Sequence, residues 1–149
     1  MPGLTAVHSI EQLSGWHGLA RNTAGEVWTW GQGSDGESGD GTLDSHLTPV
    51  RVPGLGQITA IAAGESHCMA LQSNGTVWAW GRDDEGQVGD GGTADRTTPF
   101  EVPLPAGRHP VGVGAGAAWS FAILGWLKDP SRWFSSVSQA EGGLRPRDP

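Results

Sequence analysis

The stretch Val-Trp-Thr-Trp-Gly at residues 27–31 returns fifty residues later as Val-Trp-Ala-Trp-Gly at 77–81. Nothing else in the chain constrains its fold as strongly, because the match extends far beyond the five letters. At the same offset His17 pairs with His67 and Ala20 with Ala70. Trp28, Trp30 and Gly31 pair with Trp78, Trp80 and Gly81, and the loop Gly-Asp-Gly around Asp40 pairs with the one around Asp90. Thr48-Pro49 and Val52-Pro53 match Thr98-Pro99 and Val102-Pro103. A third copy starts with a slip of two residues, GESHCMAL at 64–71 against GAAWSFAI at 116–123. Where its Val-Trp-x-Trp-Gly is due, the chain reads GWLKDPSRWFSSVS instead. A fixed period of this length is the mark of a repeat architecture.

Each period divides into four short strands. ITAIAAG is apolar, and SHCMALQS and TVWAWG alternate. The alternation puts Val77 and Ala79 on one face and Trp78 and Trp80 on the other. TPFEVP is bounded by prolines, as edge strands are, and SNG and TAG read as hairpin turns. With 25 glycines and almost no helical patterning, the expectation is all-β: a partial β-propeller with blades of four short antiparallel strands. The repeat region is expected over residues 1–124, with copies near 7–56 and 57–109 and a partial one at 110–124. Residues 125–149 form a divergent tail, expected to be irregular or disordered. A ring needs about four blades or more, so the ring is expected to be incomplete, with apolar end faces and unpaired strand edges. Self-association, docking on a partner propeller, or truncation of a longer product would each account for that. If the isolated chain leaves its end blades uncapped, it self-associates.

The segment IAAGESHCMALQSNGTVWAWGRDDEGQVGDGGTADRTTPFEV resembles the repeat of the regulator of chromosome condensation family. It carries Gly-x-x-His, Asn-Gly-x-Val-x-x-Trp-Gly, the Gly-Gln-x-Gly-Asp-Gly loop and the Thr-Pro strand. The resemblance covers roughly residues 7–124. It departs at Ser38, where an apolar residue is usual, and at Trp119, which replaces the histidine. The resemblance implies a propeller with protein partners, and guanine-nucleotide exchange on a small GTPase as the activity of the eponymous member.

The remaining residues narrow the function. Residues 1–124 hold 5 basic and 13 acidic side chains, a net of −8, which disfavours nucleic acid. No apolar run is long enough for a membrane span, and MPGLTAVHSIEQLSGW does not read as a signal peptide, so a cytoplasmic protein is expected. His17 and His67 recur without a metal-ligating or nucleophilic set beside them, and are read as structural together with the two Trp pairs, Gly31, Gly81, Asp40 and Asp90. Cys68 adjoins His67 in a strand, so the two side chains point to opposite faces and form no dyad. No catalytic residue, metal or cofactor is expected. The candidates for partner contact lie in two acidic loops: Asp35, Glu37 and Asp44 in the first, and Arg82, Asp83, Asp84, Glu85, Asp95 and Arg96 in the second. These loops are Asp- and Gly-rich enough for calcium to be an alternative reading, although neither has the spacing of a twelve-residue calcium loop.

Overall fold

The computed structural model describes residues 4–11, 16–126 and 133–135. These residues form three antiparallel sheets that follow one another along the chain. The first is a four-stranded meander of β1 (Val7–Glu11), β2 (His17–Asn22), β3 (Val27–Gly31) and β4 (His46–Arg51). The second repeats it with β5 (Ile58–Ala63), β6 (His67–Gln72), β7 (Val77–Gly81) and β8 (Arg96–Glu101). The third contains β9 (Arg108–Ala115), β10 (Ser120–Trp126) and β11 (Trp133–Ser135), with β10 in the middle. The chain is therefore all-β, built of propeller blades. Among the described residues no helix is long and apolar enough to cross a membrane.

The first two blades share one register. His17 lies opposite Gly31 and Ala20 opposite Trp28; His67 lies opposite Gly81 and Ala70 opposite Trp78. Pro49 and Pro99 sit in β4 and β8, the strands at the end of each sheet, where a missing N–H costs no ladder bond. Gly31 and Gly81 end β3 and β7 with φ of 93° and 102°. A Cβ on Gly31 would stand 2.2 Å from Trp16 O and one on Gly81 2.6 Å from Ser66 O. Only glycine lets the strand turn away there, which explains why each Trp pair is followed by Gly.

Alternation within β7 divides the core into two seams. Trp80 is fully buried against the first blade, in a cluster with Leu19, Val27, Val52, Ile58, Cys68 and Ala70, and Trp78 packs on its edge. Val77 and Ala79 face the other way, packing with Met69, Leu71 and Val88 toward Val113 and Ala122 of the third blade. Burying an indole removes about 150–250 Å² from water, at most roughly 4–6 kcal/mol. The Trp78 and Trp80 pair thus forms the packing seam that orders the second blade on the first; Trp28 and Trp30 belong to neither cluster.

Strand pairing continues past the end of the recognisable repeat. β10 runs to Trp126, and β11 pairs with it through Ile123 and Ser135, Leu124 and Phe134, and Gly125 and Trp133. The expected change of structure after Leu124 is therefore not a loss of sheet at that residue. Main-chain bonding at a strand edge asks only for an extended segment, not for the motif. The rest of the tail lies outside the described residues.

Gly39 and Gly89 occupy one repeat position in different surroundings. A Cβ on Gly39 would meet Trp80 Nε1 at 2.7 Å, whereas on Gly89 its nearest contact would be Val102 Cγ1 at 3.5 Å. Both have positive φ, 65° and 79°, so alanine strains each by about 1–2 kcal/mol. Only Gly39→Ala also collides with a buried indole. In chemical denaturation Gly39→Ala is expected to cost at least about 1 kcal/mol more than Gly89→Ala; equal losses would contradict the seam as described.

Candidate interaction surface

The loops that follow β3 and β7 share a rim with the turns that precede β2 and β6. Gln32 N donates to Trp16 O at 3.0 Å, and Arg82 N to Ser66 O at 2.8 Å. The acidic loops therefore stand beside those turns on one side of the sheets. Each loop is held by its own side chains in the same way. Glu37 accepts from Asp35 N at 2.9 Å, and Gln87 from Glu85 N at 2.9 Å. Ser45 Oγ accepts from Gly33 N at 3.2 Å, and Asp95 from Asp83 N at 2.9 Å.

Asp40 and Asp90 close the tips. Asp40 accepts from Thr42 N at 2.9 Å and from the Thr42 hydroxyl at 2.7 Å, and meets His46 Nε2 at 2.8 Å. Partial burial pushes its carboxyl up, but the two Thr42 bonds and His46 outweigh that and hold it below the usual carboxylate range. Asp90 accepts from Gly92 N at 2.7 Å and pairs with Arg96, and its carboxyl is likewise held low, first by the Gly92 N–H. Arg96 also lies over the Phe100 ring, 4.9 Å from its centroid.

Two of the residues read from sequence as partner contacts are interior. Glu37 is 1% exposed and Asp83 0%. Burial pushes the Glu37 carboxyl up, since its loop folds under the neighbouring blade. Asp83 turns inward to accept from Val88 N at 2.7 Å, and burial first, then the adjacent Asp90, raises its carboxyl. What remains in contact with water is Asp44, Arg82, Asp84, Glu85, Asp95 and Arg96, with Asp35 half-buried. Arg82 pairs with Asp84. Asp44 and Glu85 make no side-chain bond among the described residues. Sequence reading missed the exposed apolar groups nearby: Trp16 at 83%, Leu47 at 101% and Leu43 at 58%. Trp16 directly precedes a repeat histidine, where the second copy has Ser66. That mismatch with the repeat was the available signal.

Beneath the rim the histidines form a node that repeats from seam to seam. His17 Nε2 lies 3.3 Å from Cys68 Sγ of the second blade, and that thiol points at Glu37 O, 3.8 Å away. His67 Nε2 lies 2.9 Å from Ser120 Oγ of the third blade, which donates to Gln87 O at 2.8 Å. Since the Ser120 hydroxyl proton goes to that carbonyl, His67 donates through Nε2–H. Gly64 makes room for the ring: a Cβ there would stand 2.1 Å from His67 Cε1. Trp119 sits over Gly116 in the same way and stacks on Phe121. Burial keeps the groups of the node in their neutral forms. Burial lowers His17 below its ordinary value and lowers His67 to about 4, while burial pushes the Cys68 thiol well up. Among the described residues no group of three His, Cys, Asp or Glu side chains could hold a metal ion.

The neutral state of His67 gives stability a pH dependence. Its ordinary value of 6.5 applies to the unfolded chain and about 4 to the folded one. Between these values the unfolded chain binds the extra proton, so stability is complete above 6.5 and falls as pH drops toward 4. The loss is up to about 3 kcal/mol. In urea titrations at pH 7 and pH 4, His67→Gln is expected to lose less than the parent by roughly that amount. An identical pH slope in the two proteins would contradict the burial of a neutral ring.

Comparison with known proteins follows the same division into blades. The family model of the Regulator of chromosome condensation (RCC1) repeat matches residues 24–71 and 74–123, and a second model of that repeat matches 58–87. Residues of the chain are 43% identical over 56 positions to the human E3 ubiquitin-protein ligase HERC2, covering 36% of this chain and 1% of that protein. Human WBSCR16 superposes with a TM-score of 0.74 at 27% identity, over 83% of this chain and 32% of that one. Prp20p from Saccharomyces cerevisiae, studied for its binding to Gsp1p and histones, superposes at 0.76 with 22% identity, over 87% and 33%. The chain thus spans about a third of each solved structure and a small fraction of HERC2.

Proposed function

The chain belongs to the regulator of chromosome condensation repeat family, and from that premise we propose that it is a non-enzymatic protein–protein interaction module. The observation that carries this reading is the rim. Asp35, Asp44, Asp84, Glu85 and Asp95 project from two rigidly stapled loops, with Trp16, Leu43 and Leu47 exposed nearby. Loops fixed by their own hydrogen bonds present charge without an ordering cost on binding. Carboxylates steer association, while exposed aromatic and aliphatic groups supply contact area. The partner that fits is a protein with a basic surface and an apolar patch. Binding of Gsp1p and histones by Prp20p supports the choice of a protein partner.

Guanine-nucleotide exchange on a small GTPase is the second reading, and it rests on the family alone. The titratable groups of the seams, His17, His67 and Cys68, are engaged in blade-to-blade bonds, which favours the non-enzymatic reading.

The test is retention of proteins on the immobilised chain, compared with the variant Asp35→Lys, Asp44→Lys, Asp84→Lys. Specific partners identified by mass spectrometry are expected to fall at least about tenfold on the variant, as the loss of several rim charges implies. The same proteins retained equally by both forms would overturn the role of the rim. Accelerated nucleotide release from a small GTPase by the parent chain would favour exchange activity instead.

A further inference from the structure

Asp83 breaks the repeat in a place where a carboxyl is costly. Its counterpart in the first copy is Gly33, and its side chain is fully buried. Asp83 Oδ1 accepts from Val88 N at 2.7 Å. Oδ2 is buried and meets no N–H or O–H donor among the described residues. The group beside it is another carboxyl, that of Asp90. An ionised oxygen in that position is stripped of water and set against a like charge, and neither cost is offset. A proton on one of the two carboxyls removes both costs, because the acid O–H then donates to the facing carboxylate.

The surrounding donors decide which residue carries that proton. Asp90 takes the Gly92 N–H at 2.7 Å and the Arg96 guanidinium, so its charge is answered. Asp83 feels the Asp90 charge more than that of Arg96. Asp95 turns to the Asp83 backbone, accepting from its N–H at 2.9 Å. Arg82 and Asp84, the sequence neighbours, pair with each other. Of the first blade's charges, Glu37 acts on Asp95 and Asp35 on Arg82. The third blade meets this loop through the neutral Ser120 hydroxyl, which donates to Gln87 O. The loop is also tied to that blade by Val88, which Asp83 holds and which is buried in the seam. In sequence, Asp84 and Glu85 of the rim lie between Asp83 and Gln87.

We propose that Asp83 and Asp90 share one proton, carried on Asp83 Oδ2 and donated to the Asp90 carboxylate, and that its release loosens the second rim loop, making the pair a pH-sensitive latch. Release passes the proton to solvent and leaves two carboxylates side by side. The loop relieves them by letting Asp83 swing outward, which breaks its bond with Val88 N. The folded value of Asp83 stands above the unfolded 3.8. The folded chain therefore holds the extra proton just above 3.8, so the latch is complete at low pH and is lost as pH rises through the folded value. That is opposite in sign to His67, whose contribution is complete above 6.5. In the first loop Gly33 brings no second carboxyl, and Asp40 is held by Thr42 and His46. The latch does not depend on what the rim binds.

Carbon-detected NMR of the full chain follows the side-chain carboxyls through a pH titration. Asp83 is expected to titrate above 3.8 and Asp90 below it. Amide hydrogen exchange reads the loop. Corrected for the intrinsic rise with base, the Val88 N–H is expected to lose protection several-fold between about pH 5 and about pH 8. In Asp83→Asn the side-chain amide donates to Asp90 at every pH while its oxygen still accepts from Val88 N, so that loss is expected to be absent. Asp84→Asn, which alters the exposed pair with Arg82, is expected to keep the parent's pH dependence. Should Asp83→Asn fail to fold, the carboxyl titration decides alone. An Asp83 carboxyl titrating at or below 3.8, or Val88 protection with the same pH dependence in Asp83→Asn as in the parent, would overturn the proposal.

Discussion

One contact organises the structure: the Trp80 indole of the second blade laid on Gly39 and bonded through Nε1 to the Glu37 carbonyl of the first. Propeller blades are small sheets with one apolar face too many, and none buries its surface alone. The indole answers that problem in two ways. It supplies much of the apolar area of the seam, and its polar edge satisfies a buried carbonyl whose other donor is the weak Cys68 thiol. The loop must therefore follow the neighbouring blade closely. That explains why Glu37 and Asp83, both acidic, are interior and their loops still stable: each side chain accepts from a backbone N–H of its own loop.

Much of this was legible in the sequence, and the reason is repetition. The fifty-residue offset fixed which residues share a role, and the period-two alternation placed Trp78 and Trp80 on one face, where the structure has them. Exposure within the loops was not legible. Glu37 and Gln87 make the same bond from the same place, yet a one-letter reading separates them as charged and neutral. Asp83 has Gly33 as its counterpart, so the repeat gave no warning that it would turn inward. The exposed Trp16 went unremarked because tryptophan in this chain otherwise signals core. Pairing of β10 with β11 was invisible for a different reason: an open edge accepts an extended segment without a motif.

The same logic connects fold to function. The seams consume the chemically versatile groups. His17, His67 and Cys68 are buried and held in their neutral forms, leaving the rim loops to differ between copies without disturbing the blades. On the proposed reading the seams carry stability and the exposed loop residues carry recognition.

Hydrogen exchange at the tryptophan side chains tests the central contact most directly. With indole nitrogens labelled, the Trp80 Nε1–H is expected to exchange only as fast as the whole structure unfolds, because leaving Glu37 O requires the two blades to part. The indole of the exposed Trp16 is expected to exchange at the rate of a free side chain. Exchange of Trp80 as rapid as that of Trp16, in a chain that remains folded, would contradict the seam on which the account rests.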